Sequence, residues 1–426
     1  MIYMKVTGII AEYNPFHKGH AYHIKRTREL TGADYILAVI SGDFVQRGAP
    51  ALLDKYLRCE MALSQGVDLV LELPLAYAIG SAEFFAMGAV SLLDKLGIVD
   101  DLCFGSECGD IEKLSYLARN LKEESPAFKE AIQADLRAGQ PYPLARQRAI
   151  EVCRQIPGAL SSMEEMSLEE IQKLLGEPNN ILALEYLKSL QRRHSRITPV
   201  TIRRECAGYH DTSTESGMAS ATAIRKLYQT GDLSHLADTV PNAVLDILNR
   251  EYQKRFPVFA DDFSMCLYYR LLMEKERGTA LHYYQDVSKE LGIRIYNELS
   301  EYKSYDDFCR HVKTKQYTLT RISRSLLHIM LNLKANDYHH YSQHDFVPYV
   351  RVLGFRKDSS SLLSAIKQSC ELPIIAKMAD ASKLLDDCGN KILSQEIFAS
   401  NLYRKTQEEK FHTTLPNEYT EQIRIL

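Results

Sequence analysis

Short apolar runs alternate with helical patterns over the first hundred residues, and this alternation restricts the chain to few architectures. Strand-like runs fall at Lys5 to Ala11, Tyr35 to Ile40, Leu69 to Leu73 and Val99 to Phe104. Helical patterns at Gly19 to Leu30, Asp54 to Ser64 and Ser81 to Leu96 separate them. A β-α-β-α order predicts an α/β fold, a doubly wound parallel sheet with right-handed crossovers and ligands gathered beyond the carboxyl ends of its strands. Three loops are expected at those ends: Ala11 to His20, Ser41 to Gly48, and Gly105-Ser106-Glu107.

The first of these loops carries the most chemistry. Asn14-Pro15 turns the chain, Asn14 being able to bond its own backbone, and Gly19 lets an anion approach the main chain closely. The helix that follows offers unpaired N–H groups and the positive end of its dipole. His17 and His20, three residues apart, fall near the same end of that helix, where both rings reach one phosphate and stabilise charge growing on its oxygens; His23 adds a third imidazole a turn later. In the second loop, Asp43 and Arg47 stand either as a turn residue and a solvated charge or as ligand contacts. Asp43 is the candidate for orienting a second substrate.

Further along, Leu121 to Leu175 reads as a helical, polar insertion, placed at about 121–178. Pro178-Asn179-Asn180 opens a helix from Ile181 to Leu190, with the asparagines serving as caps or as ligand carboxamides. Arg196 to Arg204 reads as a strand ending in two arginines, of which one faces the crevice. In Ser220-Ala221-Thr222-Ala223-Ile224-Arg225, hydroxyls at a helix start precede an arginine in the first turns, an arrangement suited to β and γ phosphates. Ser220, Thr222 and Arg225 are therefore candidate triphosphate ligands.

Beyond Pro241 the pattern changes to long amphipathic helices such as Asn242 to Arg255 and Asp262 to Arg277. A catalytic domain over 1–235 and a mainly helical domain over 236–426 are expected, the latter with a small strand-helix-strand capping unit near 347–376. Arg310, Lys313, Lys315, Arg321 and Arg324 surround Tyr317-Thr318, a basic and hydroxyl-rich stretch suited to RNA phosphates.

Composition limits the partners. The net charge of -3 gives no global attraction for nucleic acid, so RNA contact must come from such local patches. Nine scattered cysteines without a CxxC pair predict neither a disulfide framework nor a zinc knuckle; Cys103 and Cys108 are expected as reduced thiols, and no protein-held metal is read from the spacing. No apolar run approaches the roughly 20 residues of a membrane span and no signal-peptide core precedes Glu12, so a cytoplasmic location is expected. P-loop, GxGxxG and KMSKS-like strings are absent.

The string Ala11-Glu12-Tyr13-Asn14-Pro15-Phe16-His17-Lys18-Gly19-His20 resembles the HxGH loop of the nucleotidyltransferase superfamily, and Ser220 to Arg225 resembles its ISSTxIR motif, with Ala221 in place of the second serine. Together with SGDFVQRG, LCFGSE, PNNILALEYL and TIRRECAGYHD, these strings resemble the bacterial tRNA(Met) cytidine acetate ligase family over most of the chain. Cys206 departs from the smaller residue typical beside Arg204.

The resemblance implies an ATP site made of Ile10, Ala11, Glu12, Tyr13, Asn14, Pro15, Phe16, His17, Lys18, Gly19, His20, Ala21, Tyr22, His23, Gly105, Asn179 and Arg204. It also implies ATP, with Mg2+, and acetate as reactants, acetyladenylate as intermediate, and N4 of the wobble cytidine of elongator tRNA(Met) as acceptor. No dedicated general base is evident. Two other readings of the residues stay open: a nucleotidyltransferase acting on a small phosphorylated metabolite, and a non-catalytic RNA-binding protein.

Overall fold

The computed structural model describes residues 4–122, 125–140, 142–154, 166–204 and 220–426. Cys206 and the rest of ECAGYHD lie outside the described residues. Ten strands occur among them: β1 (Val6–Ala11), β2 (Tyr35–Ser41), β3 (Phe44–Val45), β4 (Ala49–Pro50), β5 (Leu69–Leu73), β6 (Asp101–Ser106), β7 (Thr198–Arg203), β8 (Val350–Phe355), β9 (Ile374–Ile375) and β10 (Arg424–Ile425). The main sheet runs β10-β8-β5-β2-β1-β6-β7, with β9 also paired to β8, while β3 and β4 form a separate ribbon.

The pairs β1 with β2, β1 with β6, β2 with β5 and β6 with β7 are parallel. Strands β2 and β5 are apolar almost throughout because helices cover both faces, as the continuous apolar runs predict. The strand order reverses at β1, whose neighbours β2 and β6 lead the chain in opposite directions across the sheet. The crevice beyond the carboxyl ends of β1 and β6 is therefore the switch point where such sheets bind ligands.

The expected boundary near residue 236 is not a division of the core. Strand β8 lies antiparallel against β5, with a register shift between Val70 and Leu71, and covers what would otherwise be an exposed sheet edge. The segment expected as a small capping unit, with its helix Ser360–Ser369, is thus an extension of the main sheet. One apolar cluster runs from Val6 to Tyr403, joining both parts. The helical insertion occurs as Pro126–Arg137, Tyr142–Arg154 and Leu168–Gly176.

Six helices, Asn242–Glu251, Ser264–Glu276, Lys289–Asn297, Tyr305–Val312, Leu319–Met330 and Ala335–Gln343, form the helical part. One seat of the helical part against the sheet's loops is at Gly48, after β3. The backbone there has φ +77° and a Cβ would sit 2.3 Å from the Arg324 nitrogen, so only glycine lets the loop seat on Leu319–Met330.

Candidate functional site

The loop after β1 bends at Tyr13, whose φ is +50°, and delivers His17 to the N-cap of the helix Lys18–Thr31. Nδ1 of His17 accepts the Gly19 N–H at 3.1 Å, and Nδ1 of His20 accepts the His17 N–H at 3.3 Å. This reciprocal pair has the spacing of a capping box, with imidazoles in place of the usual hydroxyl and carboxylate. A ring nitrogen that accepts carries no proton, so each neutral ring holds its proton on Nε2. The two rings stack, centroids 3.7 Å apart.

Burial, with smaller contributions from Arg204 and Arg225, pulls His17 down to about 3. Burial first, then His17, Arg204 and His23, holds His20 well below the usual imidazole range, and burial and Arg204 bring His23 to about 4. His17 and His20 thus present oriented Nε2–H donors and not cations.

Around them lies a cavity of about 400 Å3. Its polar wall comprises Glu12, Asn14, His17, His20, Arg47, Arg204, Ser220 and Arg225, and its apolar wall is built by Phe85, Phe104, Ile181, Leu182, Tyr186 and Ile202. A second cavity of about 370 Å3 shares the polar wall and extends past Thr222 and Gln229 to Phe259 and Asp306 of the helical part. Ser220 caps the helix Ala221–Thr230 by accepting the Ala223 N–H, so two helix N-termini face the same space. Arg225 donates to the Asn14 carbonyl at 2.7 Å and to Thr222 Oγ1 at 3.0 Å. Its burial, opposed by Glu12, lowers the guanidinium to about 10, which leaves it charged at neutral pH.

Among the described lining residues of the first cavity, Arg47, Arg203, Arg204 and Arg225 face a single carboxylate, Glu12. The first cavity joins an apolar slot suited to a planar base to a cationic wall suited to a polyphosphate. Both adjacent arginines line the cavity, against the expectation of one, because the strand ends at Arg203 and its alternation does not reach Arg204; Arg204 is the one felt by all three imidazoles, while Arg203 packs its Cβ against Gly109.

Several expected residues lie elsewhere. Asp43 lines neither cavity: its buried carboxylate accepts the Lys55 N–H at 2.9 Å and the Ser400 hydroxyl at 2.8 Å, so the loop turns it inward and it is withdrawn as a substrate contact. Pro15, Phe16, Lys18 and Ala21 also line neither cavity; Phe16 is fully buried beneath the loop and Lys18 points to solvent. Asn14 does not bond its own turn but reaches across to the Leu52 N–H at 2.7 Å.

Ile10, Ala11, Tyr13, Gly19, Tyr22, His23, Gly105 and Asn179 do line the first cavity. Asn180 is wholly buried and structural, accepting from the Cys108 N–H. Arg324 pairs with Asp286 at 2.8 Å and Arg321 stacks over Tyr317, which leaves Arg310, Lys313 and Lys315 as the exposed cations of that patch.

One supporting residue, Arg58, escaped the sequence reading, and Glu107 was placed only as part of its loop. The fully buried Arg58 donates to the carbonyls of Glu12, Gly42 and Leu53 and so ties the loops after β1 and β2 together. Glu107 accepts the N–H groups of Asn179 and Asn180 and the Asn179 amide, occupying the N-terminus of the helix Pro178–Arg192. Arginine within a helix one turn after an aspartate cap gives no signal of such a span; the Pro-Asn-Asn helix start did mark where Glu107 docks.

The family model described as HIGH Nucleotidyl Transferase matches residues 4–417. A tRNA(Met) cytidine acetate ligase of Acetivibrio thermocellus is 37% identical over 428 residues, covering 99% of this chain and 100% of that protein. One of Clostridium kluyveri is 43% identical over 379 residues, covering 88% and 90%. The crystal structure of apo Thermotoga maritima TmcAL matches with a TM-score of 0.90 at 34% identity, over 99% of this chain and 100% of that one. The same protein bound with alpha-thio ATP matches with a TM-score of 0.88 at 33% identity over the same shares.

Proposed function

The chain belongs to the HIGH nucleotidyl transferases and, among them, to the tRNA(Met) cytidine acetate ligase family, and from that premise we propose that it joins acetate to a cytidine of tRNA(Met) at the expense of ATP. The observation that carries this reading is the pair of neutral, Nε2-protonated imidazoles set among arginines at the sheet's switch point. Adenine enters the slot between Phe104, Ile181 and Tyr186, and the phosphates lie along Arg204, Arg225 and the two helix N-termini.

Acetate is already ionised, so its oxygen attacks the α-phosphorus without a general base. The bond from that phosphorus to the bridging oxygen breaks, pyrophosphate leaves, and acetyladenylate remains. His17 and His20 donate to the α-phosphate oxygens as charge gathers on them. The N4 amine of the wobble cytidine of elongator tRNA(Met) then attacks the acetyl carbon; AMP departs and the amine proton passes to solvent, giving N4-acetylcytidine. An unpaired anticodon base reaches such a cavity far more readily than a paired one.

The second cavity opens towards the helical part at Asp306, and Arg310 follows four residues later on the same face of the helix Tyr305–Val312. The tRNA backbone follows the exposed Arg310, Lys313 and Lys315 from that mouth.

Among the described residues, a protein-held Mg2+ does not fit the donor set. Glu107 is spent on three N–H bonds, and Glu12 accepts the Gln46 N–H at 2.8 Å. Neither offers a paired carboxylate site for the ion.

Incubating the chain with ATP, labelled acetate and elongator tRNA(Met), followed by mass spectrometry of the nucleosides, tests the reading. Labelled N4-acetylcytidine with stoichiometric AMP and pyrophosphate is expected. Label confined to a small nucleotide product with unmodified tRNA would instead indicate a metabolite nucleotidyltransferase.

A further inference from the structure

Away from the cavities, one trio among the described residues brings metal-ligating atoms together: His340, His344 and Cys388, each offering an atom within 4.8 Å of the others. His340 and His344 are four residues apart at the end of the helix Ala335–Gln343, so both rings project from one face, with centroids 4.1 Å apart. Nδ1 of His344 lies 2.9 Å from the His340 carbonyl, which can only accept. The proton therefore sits on Nδ1, the ring is fixed, and Nε2 carries the lone pair that a metal takes.

Cys388 comes from the first turn of the helix Asp387–Phe411, where burial and the Asp386 carboxylate keep its thiol protonated until an arriving cation displaces the proton. Its thiol is buried, whereas both imidazoles reach solvent, so an ion can enter from outside and meet the sulfur at the base. The two helices are already held in register by the ion pair of Lys391 with Asp337 and by the Tyr341 hydroxyl donating to Gln395 Oε1 at 2.9 Å.

We propose that His340, His344 and Cys388 bind Zn2+, with water in the fourth position, and that the ion clips the helix Ala335–Gln343 to the C-terminal helix. Two imidazoles and a thiolate suit zinc and disfavour Mg2+ or Ca2+, which require oxygen donors. Binding converts Cys–SH and Zn2+ into a Zn–S bond and a proton released to solvent; nothing is oxidised or reduced. The helix so fastened also carries Ser400, which hydrogen-bonds Lys55 and Asp43 beneath the sheet.

Titration of Zn2+ into the chelator-treated full chain, followed by calorimetry, is expected to give one equivalent per chain and a higher melting temperature. Co2+ in its place is expected to show a thiolate-to-metal charge-transfer band. Cys388→Ser is expected to abolish the band, the stoichiometric uptake and the stabilisation, while Cys370→Ser keeps all of them.

His340→Ala, at an exposed position, gives the same loss without disturbing the core, so it decides the matter if Cys388→Ser does not fold. ATP binding, measured in parallel, is expected to be unchanged in both variants. Absence of zinc uptake by the wild-type chain, or an unaltered cobalt band in Cys388→Ser, overturns the assignment.

Discussion

Two charge-dense regions sit near the carboxyl end of the same sheet, and they are built on opposite terms. In the cavity beyond β1 and β6, arginines outnumber the carboxylates of the described wall, and the imidazoles beside them are neutral. Under β2, β5 and β8, charge is matched within the protein: Lys55 Nζ lies 2.9 Å from Glu72 and 3.1 Å from Glu418, and Arg351 pairs with both. Ser400, Asp43 and Glu396 belong to the same network, and burial, with Glu72 beside it, pushes Glu396 up to about 8, so it is held protonated next to Arg351. Among the described residues the first region is rich in arginine, which suits an incoming polyanion, and the second is a structural lock. Ion density alone therefore does not locate a site; compensation does.

The sharpest way to break this contrast is to remove one partner from the closed network. Lys55→Met leaves Glu72 and Glu418 buried without their ammonium, and is expected to cost about 3–5 kcal/mol of stability, read from denaturant unfolding. ATP affinity of the folded fraction should be unchanged.

In the cavity the same kind of deletion should act on the reaction. His20→Ala is expected to lower adenylylation by about 10²–10³-fold, the effect of removing one oriented donor, as measured by pyrophosphate release. His17→Asn keeps a cap acceptor for the Gly19 N–H while losing the Nε2 donor, so a comparable rate loss at wild-type stability separates chemistry from capping.

A smaller effect is expected from Arg225→Gln, about tenfold weaker ATP binding by calorimetry, since Arg204 and Arg47 remain in the wall. Asp43→Asn, which faces Lys55 and Ser400 rather than substrate, should change kcat by no more than about twofold, the scatter of single-contact effects. A large kcat loss at unchanged stability would return Asp43 to the site.

Acid titration sharpens the picture further. Burial pulls His17 from 6.5 to about 3 and His23 to about 4, so the unfolded chain binds protons that the folded chain refuses. Stability then falls as pH drops from 6.5 towards those values, while the imidazoles contribute no titration above it. Burial raises Glu396 to about 8 and Asp43 to about 6, which acts in the opposite sense, so the histidine contribution is read as a difference: His17→Asn should flatten the acid-side decline of the thermal midpoint relative to wild type.

What the sequence disclosed follows from the range of the interactions involved. The β-α alternation, the loop from Ala11 to His20 and the helix start at Ser220 are local strings, and each falls where local patterning puts it. The pairing of β8 with β5 and the span of Arg58 join residues far apart in the chain and leave no local trace. Asp43 was misplaced because an aspartate after a strand looks the same whether it faces a ligand or caps the next helix. The protonation of the histidine pair depends on backbone hydrogen bonds, although the His-x-x-His spacing at a helix start matches a capping box and was available as a signal. Likewise Cys388 gave no metal signature, since only the packing of two helices brings it beside His340 and His344.

The most direct test is a crystal structure of this chain with a non-hydrolysable ATP analogue. Nε2 of His17 and of His20 should lie within hydrogen-bond distance of α-phosphate oxygens, roughly 2.7–3.2 Å, with Arg204 and Arg225 on the outer phosphates. A triphosphate seated away from the helix Lys18–Thr31, or imidazoles that present Nδ1 to it, would contradict the account.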